Sequence, residues 1–132
     1  EEIAKILGED PSRVFKTLVT TGKTGQHYVF DIPVNEELDL KKAAKAVGEK
    51  SIDMLPQKEL LPLTGYIHGG CSPIGMKKQF PTVFHQTAHD YDRIFVSGGR
   101  VGSEVEVDLE DVSKSFRDSL ADLVVSSENV WK

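Results

Sequence analysis

The chain has little cysteine, no excess of basic charge and no long apolar run, and each absence excludes a class of protein. Its 132 residues include one cysteine, Cys71, so an internal disulfide and a multi-cysteine zinc site are both excluded. No window approaches the ~20 apolar residues of a membrane-spanning helix. The net charge of −5 argues against nucleic-acid binding through overall charge alone. We therefore predict a soluble, cytoplasmic protein whose length suits one core.

The glycines are concentrated in one segment. Residues 65–75, GYIHGGCSPIG, hold four of the eleven glycines, the only cysteine and His68. Clustered glycine indicates positive φ angles or a backbone that must approach another group closely. Cys71 could be a nucleophile, but a catalytic thiol needs a base within reach and a lowered pKa. We favour the alternative, a buried thiol that fills space in the core.

The hydrophobic pattern predicts more strands than helices. Helices are predicted at residues 1–8, 39–48 and 111–124, the second capped by Asp39 and ended by Gly48. Strands are predicted at residues 14–21, 26–32, 81–85, 91–97 and 103–109, and residues 51–63 are predicted to be irregular. The expected fold class is α+β, a mixed, largely antiparallel, β-barrel-like sheet with packed helices. We expect one domain, residues 1–132, that lacks its natural N-terminal segment.

Three short motifs suggest chemistry that their surroundings do not support. GKT at residues 22–24 lacks the earlier glycine of a phosphate-binding loop and is interpreted as a hairpin turn. HQTAH at residues 85–89 has the histidine spacing of zinc proteases, but Gln86 replaces the glutamate base. SGGRVG at residues 97–102 does not fit the dinucleotide-binding pattern. We predict neither a metal nor a cofactor.

Lys16 is the charged residue whose position is hardest to interpret from the pattern alone. In VFKTLVT it shares a strand face with Val14 and Leu18, so it either extends to an edge of the sheet or enters a pocket. The pattern favours the edge, because lysine is mostly exposed. Thr17 would be an ordinary strand residue, and Glu104 would belong to a solvated face.

Several motifs together resemble the YbaK/EbsC family of aminoacyl-tRNA deacylases, which are related to the editing domain of prolyl-tRNA synthetases. The motifs are VFKTLV, DLKKAAKAVG, TGYIHGGCSPIGMKK, FPTVF and IFVSGGRVG, in the family's order over nearly the whole chain. The resemblance implies a mixed, barrel-like sheet with helices around it. It also implies hydrolysis of the ester of mischarged tRNA(Pro), typically Cys-tRNA(Pro) or, in related branches, Ala-tRNA(Pro). In the Cys-specific branch, the substrate's own sulfur attacks the ester carbonyl.

The resemblance also assigns roles to individual residues. Lys16 and Gly69 match catalytic positions. Thr17 and Ser97 match substrate-binding positions. Gly70, beside Gly69 in the same loop, and Glu104, which falls where relatives have aspartate, are also predicted to bind substrate. Cys71 falls where a relative has isoleucine, which cannot act as a nucleophile. The resemblance therefore excludes Cys71 as the catalytic nucleophile.

The resemblance implies two kinds of partner. Lys77, Lys78 and Arg100 could contact the tRNA acceptor stem or form a solvated rim. Prolyl-tRNA synthetase could supply the tRNA affinity that an acidic chain lacks. The competing class is a non-catalytic binding module of the same fold, which would recognise a tRNA end, an amino-acid ligand or a protein partner.

Overall fold

A computed structural model describes residues 13–67, 70–73, 80–91, 93–99, 104–108 and 120–125. The helix predicted at residues 1–8 and most of that predicted at 111–124 lie outside these ranges. None of the described helices is long and apolar enough to span a membrane.

An antiparallel hairpin is the centre of the sheet. β1 (Phe15–Gly22) pairs with β2 (His27–Pro33) along its whole length, with Leu18 opposite Phe30. Both strands are rich in β-branched and aromatic residues, which favour extended backbone. The turn closes where the Gly22 N–H donates to the Gln26 carbonyl (2.8 Å) and Gly25 has φ of 91°. The prediction of a hairpin through the GKT motif is confirmed.

Five further strands complete a mixed arrangement. They are β3 (Ile52–Met54), β4 (Thr82–His85), β5 (Arg93–Ser97), β6 (Glu104–Asp108) and β7 (Leu120–Ala121). One sheet has the order β3-β1-β2-β4-β7, in which β2, β4 and β7 run parallel. β5 and β6 form an antiparallel pair, linked to β1 by one parallel bridge between Val14 and Phe95. The predicted mixed sheet is confirmed, although "barrel-like" describes it loosely.

Helix α1 (Leu40–Val47) covers one face of the sheet. The Asp39 side chain accepts hydrogen bonds from the N–H groups of Lys41 and Lys42 (3.0 and 3.1 Å), so it caps the helix as predicted. Gly48 ends the helix with φ of 74°, a conformation that glycine adopts without steric cost. The helix contributes to a buried cluster formed by Phe30, Ile32, Ala43, Ala44, Ile52, Val83 and Leu123.

Residues 51–63 are more regular than the sequence predicts. They contain β3 and all but the last residue of helix α2 (Gln57–Thr64), with Pro62 inside the helix. Burial of Leu60 and Thr64 against the sheet stabilises this helix, because tertiary packing outweighs the local cost of proline.

The prediction that a helix extends to residue 124 is also wrong. Residues 120–125 are extended: β7 pairs with β4, and the Asp39 N–H donates to the Leu123 carbonyl (2.7 Å). Leu123 is fully buried, so the apolar spacing that suggested a helix instead reflects burial of a strand-like segment.

Candidate functional site

One side of β1 is left unpaired over a short stretch. On that side Val14 forms the bridge to Phe95, and the Leu55 N–H donates to the Val19 carbonyl (3.0 Å). Lys16–Leu18 pair with β2 on their other side, but among the described residues no strand pairs with them on this side between the two points. Main-chain groups of successive residues point alternately to the two sides of a strand. Because the Val19 carbonyl points to this side, the N–H and C=O of Thr17 do so too. We call Lys16–Leu18 the open edge.

The side chains of Lys16 and Thr17 flank the open edge. Successive residues of a strand face opposite sides of the sheet, so Lys16 lies on the face of Leu18 and Thr17 on the face of Val19. Both side chains are half-buried. Lys16 forms no ion pair with the part of the chain that the structure describes. A ligand that lies along the open edge can therefore contact an unneutralised ammonium, a hydroxyl and main-chain groups together.

Ser97 reaches the same end of the molecule from β5. It lies two residues beyond Phe95 of the parallel bridge, just as Lys16 lies two residues beyond Val14. Ser97 is buried, its hydroxyl accepts a hydrogen bond from the Gly99 N–H (3.2 Å), and it pairs with Glu104 of β6. The strands thus bring Ser97 close to Lys16, which is far from it in sequence, while Glu104 pairs with Ser97 on the other side.

The turn after Ser97 packs against the first part of the glycine-rich segment. Gly99 has φ of 100°, and a Cβ at this position would lie 3.1 Å from the Tyr66 ring. A side chain here would need both an unfavourable backbone conformation and a displaced aromatic ring. The SGG turn and the glycine-rich segment are therefore adjacent in space, beside the open edge.

The glycine-rich segment packs on the face of the sheet that carries Thr17. Gly70 is buried, and its N–H donates to the Ile67 carbonyl (3.0 Å). This hydrogen bond shapes the turn and leaves Gly70 without a spare donor. Gly69, Lys77, Lys78, Arg100 and the side chain of Glu104 lie outside the described residues, so their predicted roles stay predictions.

Cys71 is part of the core. It is 6% exposed and packs with Val19, Val29, Leu60 and Phe80. Burial, together with the nearby Asp31 carboxyl, raises the pKa of the thiol to about 12. A thiol that stays protonated at neutral pH is a poor nucleophile, so the prediction of a space-filling residue is confirmed.

Because the thiol is buried and protonated, Cys71→Ser should leave the activity that the resemblance implies, deacylation of mischarged tRNA, within about twofold of wild type. A loss of stability of about 1–3 kcal/mol is expected from burying a hydroxyl. Initial rates on mischarged tRNA would check this. Complete loss of activity in a folded variant would restore the thiol as a nucleophile.

Asp31 is the residue of this region that sequence reasoning missed. It lies on β2 directly opposite Thr17, and its side chain is fully buried. Its Oδ1 is hydrogen-bonded to the Thr17 hydroxyl (2.5 Å), while its buried Oδ2 has no hydrogen-bond partner within the part of the chain that the structure describes. Burial raises the pKa of Asp31 to about 8, although the bond to Thr17 acts in the opposite direction. The sequence feature that could have identified Asp31 is a single carboxylate within the otherwise apolar strand YVFDIP.

The raised pKa of Asp31 predicts how stability changes with pH. Between the ordinary value of 3.8 and the folded-state value of about 8, the folded chain keeps a proton that the unfolded chain releases. The free energy of unfolding should therefore fall as the pH rises through this window. Urea unfolding from pH 5 to 9 would show this fall in wild type relative to Asp31→Asn, whose side chain does not titrate. A difference between the two that is flat or rises with pH would contradict the assignment.

The HQTAH segment has a structural role. Residues Gln86–Asp90 form a 3₁₀ turn, and Nδ1 of the buried His85 accepts the Leu123 N–H (3.1 Å). Burial lowers the pKa of His85, which keeps this nitrogen available as an acceptor. Across the described ranges, no three histidine, cysteine or acidic side chains are grouped to bind a metal ion.

Comparison with known proteins agrees with this arrangement. A proposed Cys-tRNA(Pro)/Cys-tRNA(Cys) deacylase of Enterococcus faecalis, EbsC, is 53% identical over 107 residues, which cover 81% of this chain and 65% of that protein. The proline–tRNA ligase of Thermosipho melanesiensis is 30% identical over 95% of this chain, but the match covers only 22% of the ligase. The chain thus spans just under two thirds of the first relative and about a fifth of the second.

The fold has a solved counterpart. The crystal structure of a proposed trans-editing enzyme for prolyl-tRNA synthetase has a TM-score of 0.83 at 25% identity, with 95% of this chain and 78% of that one covered. The sequence profile of the aminoacyl-tRNA editing domain matches residues 1–115. The resemblance that the motifs suggested is confirmed, and the chain belongs to the aminoacyl-tRNA editing domain family.

Proposed function

We propose that this protein is a cytoplasmic deacylase that hydrolyses the ester of mischarged tRNA(Pro), with Cys-tRNA(Pro) as its main substrate. One structural observation carries the proposal. The half-buried Lys16 and the Thr17 hydroxyl flank an unpaired strand edge, beside Ser97 and the glycine-rich segment. Membership of the editing domain family and the likeness to EbsC support the choice of substrate.

The site suits an ester that is already activated. Such a reaction needs no strong nucleophile from the enzyme; it needs the ester to be held and negative charge to be stabilised as it develops. Lys16 supplies a positive charge to the carbonyl oxygen or to the terminal nucleotide. Gly69 and the neighbouring backbone hold the ester, while Thr17 and Ser97 orient the substrate by hydrogen bonds. Glu104, which pairs with Ser97, contributes to the wall of the site.

The attacking group is the cysteine of the substrate itself. Its sulfur attacks the ester carbonyl carbon, and the bond from that carbon to the ribose oxygen breaks. The thiol proton ends on the ribose hydroxyl, the cysteine leaves as a cyclic thioester, and water then opens this ring to free cysteine. The enzyme holds sulfur and carbonyl carbon in line, and alignment of this kind contributes about 7–11 kcal/mol in the best intramolecular reactions.

The net negative charge of the chain suggests that part of the affinity for tRNA comes from a partner protein. With a net charge of −5, the protein gains little tRNA affinity from its overall field. Lys77, Lys78 and Arg100 provide local contacts to the acceptor stem, and prolyl-tRNA synthetase supplies further tRNA affinity. Deacylation should therefore be faster at low tRNA concentration when the synthetase is added.

A set of four charged tRNAs tests the function and its chemistry. Cys-tRNA(Pro), Ser-tRNA(Pro), Ala-tRNA(Pro) and Pro-tRNA(Pro) would each be incubated with and without the protein. We expect strong acceleration for the cysteine ester and little for the serine ester, which has nearly the same size but no thiol. Equal acceleration of the serine and cysteine esters would contradict substrate-assisted attack. Binding of tRNA without acceleration of any ester would establish the non-catalytic module.

A further inference from the structure

A buried carboxyl, one of whose oxygens has no partner among the described residues, lies on β2 directly opposite Thr17. Asp31 is fully buried and hydrogen-bonded to the Thr17 hydroxyl, and its Oδ2 has no hydrogen-bond partner among the described residues. Burial of a carboxylate without a cation is costly. Asp31 pairs with Phe84 of β4, and the buried cluster on its face of the sheet, which includes Val29 and Cys71, is apolar. The fold therefore gains nothing evident from an acid at this position.

The hydrogen bond between Asp31 and Thr17 can run in either direction. An ionised carboxylate only accepts, so Thr17 would donate its hydrogen inward and offer only lone pairs to a ligand. A protonated carboxyl can donate from Oδ1 to Oγ1 of Thr17, which leaves the Thr17 hydrogen free to point outward. The O···O distance of 2.5 Å is at the short end of the range for O–H···O bonds.

The environment of Oδ2 favours the protonated arrangement. If the acid proton is on Oδ1, the unpartnered Oδ2 is a neutral carbonyl oxygen, whose burial costs less than that of an ionised oxygen. Burial also raises the pKa of Asp31 to about 8. Cys71 is the titratable group described as facing Asp31 from the glycine-rich segment, and its own pKa of about 12 keeps it neutral. Thr17 from β1 and Phe84 from β4 do not titrate, and Lys16 faces the other side of the sheet.

We propose that Asp31 is a positioning residue of the deacylation site, which donates its acid proton to Oγ1 of Thr17 and so turns the Thr17 hydroxyl into a donor toward an oxygen atom of the bound ester or ribose. This inference rests on the proposed function. It explains why a buried acid lies opposite the threonine that is proposed to bind substrate. It also assigns the chemistry that Thr17 recognises: an acceptor oxygen below about pH 8, and a donor group above it.

Two single variants distinguish a positioning role of Asp31 from a purely structural role. Asp31→Asn can donate its amide hydrogen to Thr17 at every pH, so kcat/KM at pH 6.5 should stay within about threefold of wild type. Asp31→Val has nearly the same shape but no polar atom, and kcat/KM should fall about tenfold, the size expected for one lost hydrogen bond of about 1.4 kcal/mol. The thermal midpoint of Asp31→Val should rise, because a buried polar group has been removed. A residue kept only for the fold would lose stability and leave kcat/KM of the folded fraction unchanged.

The pH profile and a double-mutant cycle complete the test. Titration of the substrate thiol changes kcat/KM of wild type and of Asp31→Asn by the same factor, so the ratio of the two values does not depend on it. This ratio should be constant from pH 6 to 7 and fall above about pH 8. In a Thr17→Val background, Asp31→Val should have no further effect on kcat/KM, because Asp31 acts through Thr17.

The outcomes distinguish the two claims. Wild-type deacylation together with a flat pH ratio, or with additive effects of the two valine variants, would overturn the role of Asp31 and leave the proposed function standing. Absence of deacylation by wild type would overturn both.

Discussion

Lys16→Ala is expected to lower the rate of Cys-tRNA(Pro) deacylation by at least about a hundredfold, the loss typical when a group that stabilises developing charge is removed. The physical reason is the position of Lys16. Lys16 is half-buried beside the open edge, and no acid among the described residues forms an ion pair with it. Such a charge acts strongly on a nearby carbonyl oxygen, because water screens it less than at the surface. Single-turnover rates at saturating protein would measure the effect.

Two further variants control this prediction. Lys23→Ala removes an exposed lysine in the turn of the same hairpin, with the same change in net charge, and should deacylate at the wild-type rate. Lys16→Arg keeps the charge but changes its shape, so partial activity is expected. If Lys16→Ala folds and deacylates as fast as Lys23→Ala, Lys16 has no catalytic role.

Phe30→Ala is expected to reduce the free energy of unfolding by about 3–5 kcal/mol, as for other buried phenylalanines. Phe30 is fully buried on β2, the middle strand of the five-stranded sheet, where Leu18 and Val83 are its pairing partners. Truncation leaves a cavity between the sheet and α1 that surrounding side chains refill only in part. Urea unfolding, followed by circular dichroism, would measure the loss.

The matched control for Phe30→Ala is Leu61→Ala. Leu61 is 51% exposed on α2, so its truncation should change the free energy of unfolding by no more than about 0.5 kcal/mol. A loss below about 1 kcal/mol for Phe30→Ala would show that the hairpin is not the centre of the core.

The parts of the fold that the sequence predicts well are those in which local signals and burial agree. The GKT turn separates two β-branched runs, and Asp39 and Gly48 bound α1 on both sides. Residues 57–64 and 120–125 are different, because tertiary contacts decide their structure. Pro62 argues against a helix locally, but burial of Leu60 and Thr64 outweighs it. Leu123 fits a helical stripe, yet its segment completes the sheet beside β4 and α1.

The candidate site could be predicted only in part for the same reason. The motif resemblance identified Lys16, Thr17 and Ser97, but an unpaired strand edge depends on strands that are distant in sequence, here β3 and β5. The pattern alone placed Lys16 at an edge of the sheet, and the resemblance placed it in a site. The open edge of β1 reconciles the two interpretations. Asp31 escaped prediction because its importance depends on the residue opposite it, Thr17, which only the strand register reveals.

The most direct test of the account is the rate at which the wild-type protein releases cysteine from Cys-tRNA(Pro), measured against spontaneous hydrolysis at the same pH. We predict release at least about a hundredfold faster than the control, which corresponds to about 2.7 kcal/mol of transition-state stabilisation. Release at the spontaneous rate, from folded protein supplied with prolyl-tRNA synthetase, would contradict the assignment of this chain as a deacylase.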